Sequence, residues 1–267
     1  MTSQSRACTA VGSSVVELPS ATLGEVIEQV ALNARAERKY LVPADRFAQL
    51  IARLPERYAV LEINRQRGFA YESVYFDTSG LLTYRQHLQE RRRRHKVRTR
   101  TYLDSADCVF EVKLKWLRDQ TIKARLPYSL TDRARITPMA QEFLASQLAH
   151  AYEQSAPKLA ATATTAYRRT TLVDLDCTTR LTSDVDLTCI GGGRAEAGLS
   201  QYVLVERKSL GPNSAADTVL RGLGLRPVQM SKYCVAVALL YPGVRSSPWH
   251  RTLRRYFADP VHQGVSS

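Results

Sequence analysis

Cysteine is scarce and scattered in this chain. Cys8, Cys108, Cys177, Cys189 and Cys234 are odd in number and form no CxxC pair. That argues against a disulfide framework or a cysteine zinc site, and it suits a reducing cytoplasm. His87, His95, His150, His250 and His262 show no metal-ligand spacing either. No apolar run approaches the roughly eighteen residues that a membrane-spanning helix needs. The longest, "CVAVALLYP", reads as a buried helix. The N-terminus has no apolar core of a signal peptide. There is no GxxxxGK[ST] loop, no GxGxxG and no nucleophile motif. "GGGR" (Gly191 to Arg194) lacks the Lys-Ser/Thr that completes a phosphate loop, so a flexible turn is expected there.

Acidic residues are also in short supply. The chain has 25 Asp+Glu against 38 Lys+Arg, a formal charge of +13. Such a surplus points to a polyanionic partner: nucleic acid, an acidic membrane surface, or a phosphorylated small molecule or polymer. Hydrophobic residues make up 44% of the chain, enough for a buried core. No long Pro/Gly/Ser linker and no fixed-period repeat interrupt the 267 residues. One main domain over 34–242 is therefore expected. A variable segment (1–33), with a short helix around "LGEVIEQVAL", precedes it. A C-terminal tail (243–267) comes after it, disordered beyond about Pro260.

Within the body, helices are expected at "PADRFAQLIARL", in "SGLLTYRQHLQERRRR" as it enters a basic run, at "TPMAQEFLASQLAHAY", and at "SAADTVLRGLG" and "MSKYCVAVALLY". Strands are expected at "AYESVYFDT", "KVRTRTYL", "CVFEVKLKWL", "QTIKARLPY", "KLAATATTAYRRTTL", "DLDCTTRLTSDVDL" and "QYVLVERKSL", with a turn near Arg118 and Asp119 and a loop at "CIGGGRAEAGLS". Many strands in sequence, with helices inserted, indicate an antiparallel α+β fold or barrel.

Parity sharpens this. In "ARAERKYLVP", Arg35, Glu37 and Lys39 share one face. Lys96, Arg98, Arg100 and Tyr102 do so in the next basic strand, opposite Val97 and Leu103. Glu111, Lys113 and Lys115 oppose Phe110, Val112, Leu114 and Trp116. Lys123 and Arg125 line up, as do Arg180, Thr182, Asp184 and Asp186, and then Glu206 and Lys208. One charged face is ordinary for a half-exposed antiparallel strand. Five strands with Arg or Lys at alternate positions are not, because like charges on neighbouring strands repel unless an anion lies between them. A closed barrel with a basic lumen, and helices over its apolar outer face, would satisfy the pattern. Glu37, Glu111 and Glu206 on such a face could hold Mg²⁺ or Mn²⁺ together with phosphate oxygens. Phosphoryl transfer needs positioning and charge stabilisation more than a nucleophile.

With these pieces in order ("ERKYLVP", "SVYFDT", "RTRTY", "FEVKLK", "TIKARLPY", "AYRRT", "TRLTSDVD", "LVERKS", "MSKY"), the chain resembles the VTC domain family. This is the polyphosphate polymerase branch of the triphosphate tunnel metalloenzymes. The resemblance covers roughly Arg35 to Tyr241. It implies a closed antiparallel eight-stranded β tunnel, flanked by helices, in which ATP donates its terminal phosphate to a growing polyphosphate chain with Mn²⁺ or Mg²⁺. It implies phosphate contacts from Lys39, Arg98, Arg100, Lys113, Lys123, Arg169 and Arg180, and Tyr167 beside the nucleotide. Glu206 would hold the metal with Lys208 next to it, and Ser231 and Lys232 would close one end. Glu37 would be a metal ligand or an ion-pair partner. Arg35 replaces the first glutamate of the Glu-x-Glu-x-Lys motif of hydrolytic relatives, which agrees with the polymerase branch. Arg207 stands where an apolar residue usually separates Glu and Lys, and should face outward.

The implied partners are ATP and inorganic polyphosphate, not nucleic acid. No SPX-like segment is visible, so coupling to translocation would need a membrane-protein partner, and the expected location is the cytoplasm, at most peripheral to a membrane. Three other readings stay open: a tunnel (tri)phosphatase, a non-catalytic polyphosphate or nucleotide sensor, and a nucleic-acid binder suggested by "QERRRRHK". The basic strands offer few aromatics for base stacking, which disfavours the last.

Overall fold

The protein is seen in a computed structural model that describes residues 4–30, 36–115, 121–176 and 178–257. Arg35, Trp116, the turn at Arg118 and Asp119, Cys177 and the tail beyond Pro260 lie outside the described residues.

The chain opens with α1 (Arg6–Ser14), β1 (Ser20–Ala21) and α2 (Leu23–Val30). Then come β2 (Ala36–Pro43), α3 (Ala44–Ala52), β3 (Tyr58–Leu61), β4 (Phe69–Asp77) and α4 (Leu82–Leu88). Three consecutive strands come next: β5 (His95–Tyr102), β6 (Asp107–Lys115) and β7 (Thr121–Tyr128). Helix α5 (Pro138–Tyr152) leads to β8 (Ala160–Asp174), β9 (Thr179–Gly191), β10 (Arg194–Gly198) and β11 (Tyr202–Ser209). The last elements are α6 (Ala215–Gly222), α7 (Lys232–Leu240) and α8 (His250–Tyr256). The α+β expectation holds. Helix α1 and strands β1, β3 and β10 were not legible from pattern alone.

Local chemistry explains several boundaries. Thr137 accepts a hydrogen bond from the Ala140 N–H, Pro138 fills the first turn, and Glu153 ends α5 in the left-handed region (φ 56°). Ser214 and Asp217 form a capping box on α6. The expected loop at "CIGGGRAEAGLS" is a hairpin instead. Gly191 pairs with Arg194, and Gly192 and Gly193 take φ of 57° and 74°, a two-residue turn that glycine allows without a Cβ clash.

Strands pair in the order β2-β11-β9-β8-β4-β5-β6-β7, with β10 beside β9 and β3 joining β8 to the short parallel strand β1. The two ends of this order, β2 and β7, do not pair with each other. The expected closed ring is therefore corrected to an open sheet. Strand β7 has reason to stay unpaired at its outer edge: it carries Lys123, Arg125 and Pro127 and is largely exposed. The sheet still curls strongly. Lys113 on β6 lies within electrostatic range of Glu37 and Lys39 on β2 and of Glu206 and Lys208 on β11, at the far end of the strand order.

The convex face is apolar and clad in helices. Under α5, Ala140, Leu144, Leu148 and Tyr152 meet Val74, Phe76, Val97, Phe110, Val112 and Leu114. Helices α1, α3 and α6 cover Val42, Leu181, Val203 and Val205. On the concave face, α7 plugs one end of the trough, packing Val235, Ala236 and Leu240 against Leu41, Tyr167, Leu187 and Leu204.

Parity predicts the facing correctly except after Asp184. Between β8 and β9 the register slips, and Asp186 takes φ 54°. This bulge inserts one residue and reverses the facing of the rest of β9. Leu187 and Cys189 join the concave face, and Asp186 turns outward to lie beside Cys8 on α1, where burial first and then Asp186 raise the thiol pKa. The expected alignment of Asp186 with Asp184 is thus corrected.

Leu144→Ala, at a fully buried position of α5, is expected to lower unfolding free energy by about 3 kcal/mol. Denaturant titration checks this, and a loss below about 1 kcal/mol would mean that α5 is not anchored as described.

Candidate functional site

Every charged position singled out by parity, apart from Asp186 and the undescribed Arg35, lines the concave face, and register arranges these groups in rungs. Lys39 lies opposite Glu206, and Glu37 opposite Lys208, across β2 and β11. The four form one cluster. Lys208 Nζ is 2.9 Å from Glu206 and 3.7 Å from Glu37; Lys39 bonds to Glu37 and lies 4.0 Å from Glu206. The two carboxylates repel each other, yet both are held below the usual carboxylate range. Burial and that repulsion push them up, and the surrounding lysines outweigh both. Arg180 faces Lys208 from β9.

The next rung centres on Asp184, which is fully buried. Arg169 donates to it through Nε and Nη2 at 2.6 and 2.8 Å, and Lys232 at the start of α7 binds the same carboxylate. Arg169 also lies over the rings of Tyr71 and Tyr167, each 5.3 Å from its centroid, and Lys232 lies 4.3 Å above Tyr167. Tyr71 and Tyr167 stack at 5.5 Å. Burial raises the Tyr167 hydroxyl, but Arg169, Arg100 and Lys232 outweigh it, and its pKa falls below the usual range.

On the other wing, Arg98 and Arg125 flank Glu111 across β5, β6 and β7. Arg98 donates at 2.7 Å and Arg125 at 3.0 Å, Lys123 lies 2.6 Å away, and Arg100 stands at 4.0 Å. Both Glu111 oxygens are thus occupied by cations. One rung further along, Lys96, Lys113 and Lys123 stand directly opposite one another. No carboxylate intervenes in this row. Lys96 donates to Ser231 Oγ at 2.8 Å, whereas Lys113 has no ion pair or hydrogen bond through its ammonium among the described residues. Desolvation by the surrounding groups, then Lys39 and Lys208, lowers the Lys113 pKa against Glu37 and Glu206; the residue is exposed on this face, so water screens much of that effect. Burial, with help from Lys113, Lys39 and Arg98, brings Lys96 down to about 8. Lys123 is also lowered by burial despite its bond to Glu111; its side chain remains 32% exposed, so water screens part of that effect. The Arg100 Nε is buried without a hydrogen-bond partner.

The structure therefore gathers Lys39, Arg98, Arg100, Lys113, Lys123, Arg169, Arg180, Lys208, Lys232, Tyr167, Ser231, Glu37, Glu111 and Glu206 along one surface. Two members were missing from the expected set. Asp184 shares its face with Arg180, the single cation of β9, and could have been found as a carboxylate on that face. Lys96 could have been found from its parity with Arg98. Among the described residues no three His, Cys, Asp or Glu side chains form a ready-made metal cluster. Glu37 and Glu206 together offer hard oxygen donors of the kind Mg²⁺ and Mn²⁺ take, leaving other positions to phosphate oxygens or water. That donor set fits a metal shared with a phosphate ligand.

Arg207 lies between Glu206 and Lys208 and points away from the trough, as expected, but not into solvent. It is fully buried under α6, paired with Asp217 at 2.9 Å, and it donates to the carbonyls of Ala36 and Pro212. Tyr40 also donates to Asp217. This network fastens β11 to β2 directly behind the Glu37–Glu206 cluster.

The fold is an open, curled, mainly antiparallel sheet, clad by helices, that gathers lysines, arginines and compensating carboxylates along one face. The sequence profile of the VTC domain matches residues 34–241, and the chain belongs to the VTC domain family. Solved structures resemble it at the level of chain path. A candidate adenylate cyclase from Vibrio parahaemolyticus is 12% identical, with 74% of this chain and 95% of that one covered at a TM-score of 0.42. A candidate adenylyl cyclase from Hippeastrum, described as having a dominant triphosphatase activity, is 13% identical, with 75% and 93% covered at 0.44. No curated protein matches the chain. No helix among the described residues is long and apolar enough to cross a membrane.

Two outcomes are expected. Arg207→Met strands the buried Asp217 carboxylate and should cost about 3–5 kcal/mol, while Arg207→Met combined with Asp217→Leu recovers much of it. Urea midpoints of the three proteins test this, and a double variant no better than the single one would contradict it. For the lysine row the sign is fixed by linkage. The folded pKa of Lys96 lies below the unfolded value of about 10.4, so the unfolded chain binds more protons between the two, and stability rises with pH there. The melting temperature of the ligand-free protein should rise between about pH 8 and pH 10, and Lys96→Met should flatten that rise. A profile unaltered by the substitution would show that Lys96 is not depressed.

Proposed function

We propose that this domain transfers the terminal phosphate of ATP to inorganic polyphosphate within the basic trough. The carrying observation is the imbalance of the concave face. Glu37, Glu206, Asp184 and Glu111 each already hold two or more cations. The row Lys96–Lys113–Lys123 is left without a carboxylate in register. Such a row is costly without a bound anion, and a chain of phosphates supplies charge along its length. Membership of the VTC domain family supports the same reading.

In this reading Lys113, Lys123, Lys96 and Arg100 hold the phosphates. Arg98, Arg169, Arg180, Lys39 and Lys232 stabilise charge as it shifts between oxygens during transfer. Tyr167, Lys208 and Ser231 position the donor. Glu37 and Glu206 hold Mn²⁺ or Mg²⁺, which when bound supplies charge neutralisation and alignment of phosphate oxygens. Glu111 keeps Arg98, Lys123 and Arg125 in place and has the least capacity left for a metal. Since Arg35 stands two positions before Glu37, this end of the site offers a pair of carboxylates rather than a richer cluster. That composition favours a phosphate acceptor over hydrolysis.

Purified protein incubated with ATP and Mn²⁺, with and without a polyphosphate primer, is expected to yield ADP and long-chain polyphosphate, and Glu206→Gln to abolish both. Phosphate release without polymer would transfer the domain to the hydrolases. Tight ATP binding with no turnover, unchanged in Glu206→Gln, would make it a sensor.

A further inference from the structure

Two of the sequence pieces meet behind the site through residues to which no role has been given. "SVYFDT" supplies Asp77, the last residue of β4, and "MSKY" supplies Tyr233 in the first turn of α7. The Tyr233 hydroxyl donates to Asp77 Oδ2, and both residues are fully buried. Asp77 also accepts from the Thr78 and Thr83 N–H groups at 2.7 and 2.9 Å, and from the Thr83 hydroxyl and the Tyr84 N–H at 2.8 and 3.0 Å. These four bonds, from the turn into α4 and from its first residues, fix the carboxylate without any help from α7. Burial and the Asp77 charge hold the Tyr233 hydroxyl above the usual tyrosine range, so it stays a donor.

Three successive residues at the start of α7 reach different strands of the trough. Ser231 accepts from Lys96 Nζ of β5 at 2.8 Å. Lys232 binds Asp184 of β9 and lies 4.3 Å above the Tyr167 ring of β8. Tyr233 reaches Asp77 of β4. Its ring also packs on Tyr75, 5.0 Å between centroids, and the Tyr75 hydroxyl accepts from Arg98 at 3.2 Å. The first two contacts are made by groups that a phosphate would engage, so an arriving anion competes for them. The third is different. Tyr233 packs with Tyr84, Val237 and Trp249 in a closed core, and its bond to Asp77 is shut off from solvent.

We propose that Tyr233 is a positioning residue: its bond to Asp77 fixes the start of α7, so that Ser231 and Lys232 stay over the trough when they exchange their protein partners for phosphate. This rests on the trough being the phosphate site proposed above. The ring and the hydroxyl have separate duties. The ring fills the core beside Tyr75 and Tyr84. The hydroxyl supplies the strand contact that phosphate does not contest. The far end of α7 is held independently, by the Tyr241 hydroxyl on the Thr162 carbonyl at 2.7 Å and by Leu240 in the core. Loss of the Tyr233 hydroxyl therefore loosens the first turn and leaves the helix docked. The ligand then has to order that turn as it binds, and the cost is subtracted from affinity.

The test is the affinity of the full chain for tripolyphosphate, at fixed salt and well below the melting temperature, for wild type, Tyr233→Phe, Lys232→Met and the double variant. Tyr233→Phe keeps the ring and should bind roughly fivefold to tenfold more weakly. Lys232→Met should lose about tenfold or more. Adding Tyr233→Phe to it should then cost about twofold at most, because the main group that Tyr233 positions is already gone. Tyr84→Phe is the matched control. It deletes a hydroxyl of the same core cluster, one that donates to the Arg245 carbonyl at 2.8 Å, and should stay within about twofold of wild type. Wild-type affinity in Tyr233→Phe would overturn the proposal, whatever its melting temperature. Losses that multiply in the double variant, an equal loss in Tyr84→Phe, or a Tyr233→Phe chain too unstable to fold would also overturn it, by making Tyr233 a general support of the fold. Failure of wild type to bind tripolyphosphate would overturn this proposal and the function beneath it. Binding without polymer synthesis would remove the transfer reaction alone, and the four affinities would still decide the role of Tyr233.

Discussion

Cross-strand register between charged side chains is the constraint on which the rest of this structure depends. In a strand, alternate residues share a face, and in an antiparallel pair the residues opposite one another come within contact distance. Once Lys39, Arg98, Lys113, Lys123 and Lys208 occupy that face, the sheet has to place carboxylates between them or leave a space for an anion. It does both. Glu206, Asp184 and Glu111 neutralise the rungs where they stand, and the row of three lysines is left facing the hollow. The enclosed member of this row, Lys96, is held below the usual lysine range by desolvation and by Lys113, Lys39 and Arg98, while Lys113 and Lys123 stay in contact with water. The opposing stabilisation comes from the convex side, where burial of residues such as Phe110, Val112, Leu144 and Val205 at about 25 cal/mol per Å² supports the fold independently of the site.

The outer and inner surfaces are also coupled mechanically. Arg207 alternates with Glu206 and Lys208, so a residue outside the trough fixes the strand that carries two of its functional groups. Its partner Asp217 belongs to α6, and Asp217 also completes that helix's capping box. The same double use recurs at Lys232, which begins α7, binds Asp184 and lies over Tyr167. Helix α7 therefore plugs the trough with its apolar face while its first residue presents charge to the interior.

Most of the site was legible because parity is a local property. A period of two in "FEVKLK" or "VERKS" needs no tertiary information to be read, and each of these strands faces as its pattern requires. What parity cannot see is a change of register. The bulge at Asp186 depends on a single residue with positive φ, and it moved that carboxylate from the trough to α1. Closure is likewise non-local: nothing in "TIKARLPY" says whether its free edge finds a partner, and here it does not. Helix α1 was hidden because "RACTAVGSS" is rich in Ser, Thr and Gly, weak helix formers; a Ser5 cap and packing against the shared core hold it together. Lys96 and Asp184 were each on the correct face in the sequence; Lys96 lay just outside the piece "RTRTY", and Asp184 sat inside "TRLTSDVD", where the resemblance gave a role only to Arg180.

If the concave face is one anion site, its least compensated cation should oppose folding and favour binding. Lys113 is that residue. The direct measurement is the melting temperature of wild type and Lys113→Ala, each with and without tripolyphosphate. Ligand-free Lys113→Ala should melt at or slightly above wild type, and the several-degree rise that tripolyphosphate gives wild type should be largely lost. A marked destabilisation of the ligand-free variant, with the ligand-induced rise intact, would contradict the reading of this surface as a phosphate-binding trough.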